Sequence, residues 1–108
     1  MNKKILSLAG LLISGFSYSQ VGVGTLSPEN SAQLDVVSTN KGILIPRVEL
    51  ESSTDASTIT TGNVNSLLVF NTNTLNDIKP GYYYWYDNKW MRVVNHDDVV
   101  ELDTNTTN

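Results

Sequence analysis

The sequence predicts a mainly β fold: a small antiparallel β module with long polar loops and a C-terminal aromatic hairpin, placed after an N-terminal signal helix. Three observations carry this. About a third of the residues after Ser19 are Ser, Thr or Asn, whose side chains compete with helix hydrogen bonding and favour turns, caps and strands. Ala, the best helix former, occurs in that stretch only at Ala32 and Ala56. Six of the seven aromatic residues beyond Ser19 crowd between Tyr82 and Trp90. They flank Asp87-Asn88, a pair that tolerates the positive φ values of a type I′ hairpin turn.

The chain begins with a leader. Lys3 and Lys4 form a positive n-region, and the run from Ile5 to Phe16 is an apolar h-region. Ser17-Tyr18-Ser19 sets small residues where a signal peptidase inspects them, which predicts a cut between Ser19 and Gln20. The run is shorter than the roughly 20 apolar residues of a spanning helix, and nothing after Gln20 supplies a membrane span. The expected organisation is a signal peptide over 1–19, a small β module over 20–94 and an acidic polar tail or truncated linker over 95–108. The expected destination, reached across the inner membrane, is the cell surface or the exterior.

Charge and cysteine content narrow the partners. The chain carries 7 basic and 11 acidic residues, and removing the leader takes Lys3 and Lys4 with it. An acidic chain without a basic cluster is unsuited to nucleic acid or an anionic membrane surface, where Lys and Arg are needed. The absence of Cys excludes disulfides and the cysteine of a lipid-anchoring leader. A small exported domain without such staples buries a modest core. Partner chains are the remaining source of stability.

The elements follow in order. Val21-Gly22-Val23-Gly24-Thr25 reads as a short strand or extended lead-in, and Ser27-Pro28-Glu29-Asn30 as a turn or a helical first turn. Leu34 to Val37 reads as a strand and Ser38 to Gly42 as the turn after it. Ile43-Leu44-Ile45 is an apolar run closed by Pro46, which belongs at a strand edge or end. Glu51 to Asn65 is polar, a surface loop or one short helix. Ser66 to Phe70 reads as a buried strand, and Asn71 to Lys79 as another loop. Pro80-Gly81 then opens the hairpin.

Either a two- or a four-residue loop at Asp87-Asn88 pairs Trp85 with Trp90. One hairpin face then carries Tyr83, Trp85, Trp90 and Arg92. The other carries Tyr82, Tyr84, Met91 and Val93, with Tyr86 and Lys89 at its end. One face packs on the apolar strands and the other needs a second use. Tyr83, Trp85, Trp90 and Arg92 are the candidate contact residues, for a glycan stacked on the rings or for a neighbouring subunit. Arg92 beside Tyr83 also suggests a cation–π pair.

Other constellations carry little. Val21-Gly22-Val23-Gly24 lacks the third glycine and following helix of a phosphate loop. His96-Asp97-Asp98 holds the chain's sole histidine, too few ligands for zinc and no calcium-loop spacing. Glu49, Glu51 and Asp55 show no cleft that would set paired carboxylates apart in pKa, and they read as surface acids. No catalytic, cofactor or metal site is expected, and no enzymatic activity.

Taken in order, several segments resemble a recurrent N-terminal module of exported bacterial surface proteins with phage tail-fibre-like architecture. They are Val21 to Thr25 with Pro28, Ala32-Gln33-Leu34-Asp35-Val36 with Ser38, and Lys41-Gly42-Ile43-Leu44-Ile45-Pro46-Arg47. Leu68-Val69-Phe70-Asn71-Thr72 and the aromatic ending Gly81 to Trp90 complete the set. The resemblance spans residues 21 to 94. It implies a fibre- or adhesin-like structural role, a homo-oligomer with a trimer favoured or a larger fibre assembly, no cofactor and no catalytic residues. The segment Glu49 to Thr61 departs from it, lacking the basic, more helical character such modules show there. The expected function is therefore an exported structural module acting through assembly with other chains, with glycan binding by the aromatic hairpin as the alternative.

Overall fold

The computed structural model describes residues 19–99. The signal helix read from residues 1–19 therefore lies outside the described residues except for Ser19, as does the tail beyond Val99. The chain divides into two compact units, Met1–Gly42 and Ile43–Asn108.

The first unit holds β1 (Val21–Val23) and β2 (Leu34–Val36). They pair in parallel, Val21 beside Leu34 and Val23 beside Val36. Gln33 O accepts from Val21 N at 2.8 Å and Val23 O from Val37 N at 2.9 Å. Gly24 is required where the chain leaves β1. Its φ is +77°, and a Cβ there would stand 2.1 Å from the Val37 carbonyl oxygen, so any other residue is excluded by both strain and collision. At the start of the unit, Gln20 Nε2 donates to the carbonyls of Glu29 and Ala32, each at 2.9 Å. That amide holds the turn between the strands.

The second unit is a four-stranded sheet in the order β3-β4-β5-β6. β3 is Arg47–Val48, β4 Leu68–Asn71, β5 Gly81–Tyr86 and β6 Lys89–Arg92. The mainly β expectation holds. The antiparallel order applies to β4-β5-β6, while β3 pairs with β4 in parallel. Parallel neighbours need a long crossover, and the polar stretch from Glu49 to Leu67 supplies it as turns rather than as a helix. β3 also starts after Pro46 instead of ending at it. Pro46 offers the ladder only a carbonyl, and that carbonyl accepts from Phe70 N at 2.9 Å.

The hairpin closes with a two-residue loop. Asp87 and Asn88 have φ of 53° and 61°, the signs a type I′ turn requires, and Trp85 pairs with Trp90. The two indoles meet edge to face, with centroids 5.3 Å apart at 69°. They join Leu50, Val69, Ile78 and Tyr83 in the core, with Val48, Ile59 and Leu67 packed against it. β4 differs from the fully buried strand expected: Val69 and Asn71 are buried, while Leu68 is exposed. Its outward face meets no covering layer among the described residues of the unit.

Polar side chains bind the loops to this core. Asn71 is fully buried. Its Oδ1 accepts from Leu50 N at 2.9 Å and Asn73 N at 3.1 Å, and its Nδ2 donates to the carbonyls of Asn73 and Lys79. Tyr83 OH donates to Lys79 O at 2.9 Å. Asp55, expected as a surface acid, is buried because its carboxylate organises the crossover. It accepts from the backbone N–H groups of Glu51, Ser57 and Thr58, each at 2.9 Å, and from the Thr58 hydroxyl. Burial alone raises its pKa, but the Thr58 hydroxyl and then the N–H groups of Thr58, Glu51 and Ser57 overcome this. They hold the carboxyl well below the usual carboxylate range.

Two predictions follow from these contacts. Trp90→Ala removes a buried ring and strands the Asp55 carbonyl that its indole N–H meets at 2.8 Å. The expected loss is about 3–5 kcal/mol in urea denaturation followed by Trp85 fluorescence, with Trp90→Phe losing less. A loss under about 1 kcal/mol contradicts the packing described. For Asp55 the folded pKa lies below the unfolded one, so its contribution is complete above about pH 4 and is lost as pH falls toward the folded value. Asp55→Asn should be less stable at neutral pH and lose stability less steeply below about pH 4. Equal slopes for the two proteins contradict this.

Candidate functional site

Alternation along β5 sorts the hairpin into an inner and an outer face. Tyr83, Trp85 and Trp90 are on the inner face and only 3–8 % exposed. They fill the interior of the second unit, where the crossover and the Asn71–Lys79 loop cover them. Arg92 is opposite Tyr83 in the register and half-buried. Its guanidinium is taken up by Asp98 Oδ2 at 2.7 Å and the Pro80 carbonyl at 3.2 Å.

The Arg92–Asp98 contact draws in the start of the expected polar tail. Asn95 and Asp98 cap each other: Asp98 Oδ2 accepts from Asn95 N, and Asn95 Oδ1 from Asp98 N, both at 2.9 Å. This reciprocal pattern is that of a capping box, and it fixes one helical turn over residues 96–99. The Asn95 N–H, followed by Arg92, holds the Asp98 carboxyl below its ordinary pKa. Lys79 Nζ stands 3.8 Å from the same carboxylate. Of the triplet His96-Asp97-Asp98, Asp98 thus has a structural partner, while His96 and Asp97 are exposed.

The outer face is open. Tyr82, Tyr84 and Tyr86 are 39–53 % exposed, with Leu68 beside them. Phe70 meets Tyr82 edge to face at 5.0 Å. Leu44, Ile45, Arg47, Phe70 and Tyr82 line a hollow of about 230 Å³, smaller than the ~300–1,000 Å³ of a small-molecule site. A second open apolar surface is in the first unit, where Val21, Val23, Leu34 and Val36 are exposed. It adjoins a hollow of about 390 Å³ lined by Val23, Val36, Val37, Lys41 and neighbouring backbone.

The remaining candidates do not converge. Glu49 and Glu51 are exposed while Asp55 is buried. Among the described residues no group of three or more His, Cys, Asp and Glu side chains is placed to hold a metal. No helix among them is long and apolar enough to cross a membrane. Gly22 and Gly24 belong to β1 and its exit rather than to a helix N-terminus. Ser19 and Gln20, the predicted cleavage pair, sit at the start of the described chain, where Ser19 O accepts from Gln33 Nε2 at 2.8 Å.

What the described residues present is therefore apolar surface on short strands rather than a cleft with convergent polar groups. Sequence alternation identified both hairpin faces, and which of them is buried is decided by the side that the polar loops cover. No curated protein and no solved structure matches the chain. The profile of one family, described as a phage tail like trimerisation region, matches residues 22–108. That match covers both strand units and most of the sequence, and the chain belongs to the phage tail like trimerisation region family.

Proposed function

We propose that this protein is an exported structural module of the bacterial envelope or exterior that associates with two further copies of itself in a tail-fibre-like assembly, without a catalytic role. One observation carries this reading: a member of a trimerisation family leaves aliphatic and aromatic strand faces open in the single chain. Exposed contiguous apolar surface of this kind marks interaction sites. The leader Lys3 to Ser19 supports export, and the acidic balance of the chain fits a protein partner better than a polyanion.

A second, adhesin-like reading is favoured by the tyrosine row. Tyr82, Tyr84 and Tyr86 recur every second residue on an exposed face, ~7 Å apart along the strand. That spacing presents ring faces and hydroxyls together, as stacking on a carbohydrate requires. The row replaces Tyr83, Trp85 and Trp90 as the surface on which such binding rests.

Native mass spectrometry of the exported species tests the first reading. The expected species contains three chains, each starting at Gln20. A monomer at every concentration contradicts trimer assembly, and chains retaining residues 1–19 contradict the cleavage. The second reading requires that added oligosaccharide change the tyrosine fluorescence of this species, and that Tyr84→Ala abolish the change without altering the mass.

A further inference from the structure

Among the described residues the buried large hydrophobics, Leu50, Val69, Ile78, Tyr83, Trp85 and Trp90, belong to the second unit. The first unit has none among its described residues. Among those residues its one sheet is two parallel strands of three residues each. A two-stranded sheet is marginal in water by itself, and parallel strands occur almost only where both faces are covered.

One face of this pair is covered from within. The connector between β1 and β2 lies over Gly22, where a Cβ would come 2.7 Å from Pro28 Cγ and 2.8 Å from the Thr25 carbonyl oxygen. On the same side, Asp35 Oδ2 accepts from Glu29 N at 2.9 Å. The opposite face has no such cover. The register brings Val21 beside Leu34 and Val23 beside Val36, four aliphatic side chains that are 38–59 % exposed.

Those four side chains carry no charge, whereas the chain as a whole carries a net charge of −4. Identical acidic chains approach at least electrostatic cost where no carboxylate lies between them. A cyclic trimer brings the same patch of each copy toward one axis. We infer that the face formed by Val21, Val23, Leu34 and Val36 is where three copies of this chain meet, packed around the threefold axis. The inference rests on the trimer reading above. It adds that the first unit owes its order to the assembly and that the outer face of the hairpin is left free.

The chain from Gln20 onward has no Cys, so single cysteines report position cleanly. In the wild-type background, Val36→Cys treated with a short bis-maleimide should give covalently joined pairs. Leu26→Cys, on the connector, should give none. Val23→Asp and Leu34→Glu should each shift the native mass from trimer to monomer while Trp85 and Trp90 fluorescence stays as in the wild type. Leu26→Asp and Tyr84→Glu should remain trimers. A trimer that survives both Val23→Asp and Leu34→Glu, or one whose Val36→Cys variant yields no joined pairs, overturns the inference and leaves the trimer intact as a finding. A wild-type protein that is monomeric throughout overturns the trimer reading itself, and this inference with it.

Discussion

The indole of Trp90 is the point on which the second unit depends. Its ring packs edge to face against Trp85, its N–H reaches the Asp55 carbonyl, and its backbone N–H donates to Ser53 O at 2.6 Å. These contacts tie the outer edge of β6 to a crossover that has no apolar periodicity of its own. An exposed strand edge invites pairing with other chains, and here the crossover occupies part of that edge. Asp55 then arranges the crossover around its carboxylate, so one residue satisfies the indole through its backbone and the loop through its side chain. The Lys79–Asp98 pair is a minor addition, since the Lys79 side chain is half exposed and exposed pairs contribute about 0–1 kcal/mol.

The two units differ in what they own. The sheet of the second unit packs one face against loops, with Asn71 and Asp55 meeting the hydrogen-bonding needs that such polar loops bring inside. Buried polar groups without partners would each cost about 1–3 kcal/mol, which is why these two residues matter more than their size suggests. The first unit has backbone pairing, a capping Gln20 and a glycine-dependent exit at Gly24, but no buried large hydrophobic residue among its described residues. For a chain in a trimerisation family, this division of labour has a clear sense. The second unit has a core of its own, and the described residues of the first present open aliphatic surface.

Much of this was legible in the sequence, and the failures have physical causes. Asp87-Asn88 between aromatic runs specified the hairpin turn and the Trp85–Trp90 pair, because turn chemistry and period-two alternation act locally. The direction of β3 against β4 was not legible. It depends on where a polar crossover travels, and Glu49 to Leu67 carries no periodicity to say so. Which hairpin face faces inward depended on the same crossover, so the alternation gave the two faces but not which of them the loops bury. Asp55 looked like any surface acid because its partners, Glu51, Ser57 and Thr58, are ordinary loop residues until the chain turns back on itself. Asn95 and Asp98 carry a capping pattern three residues apart, but its anchor, Arg92, is on the sheet.

Hydrogen exchange across the assembly equilibrium tests the central claim most directly, namely that the second unit is ordered by its own core and the first by association. On dilution from trimer to monomer, the amides of Val21 and Val37, which bridge β1 and β2, should lose their protection. Those of Phe70, Trp85 and Val93 in the four-stranded sheet should keep theirs. Equal protection of Val21 and Val37 in monomer and trimer would contradict the claim, because it would mean that the aliphatic pair is stable without any neighbour.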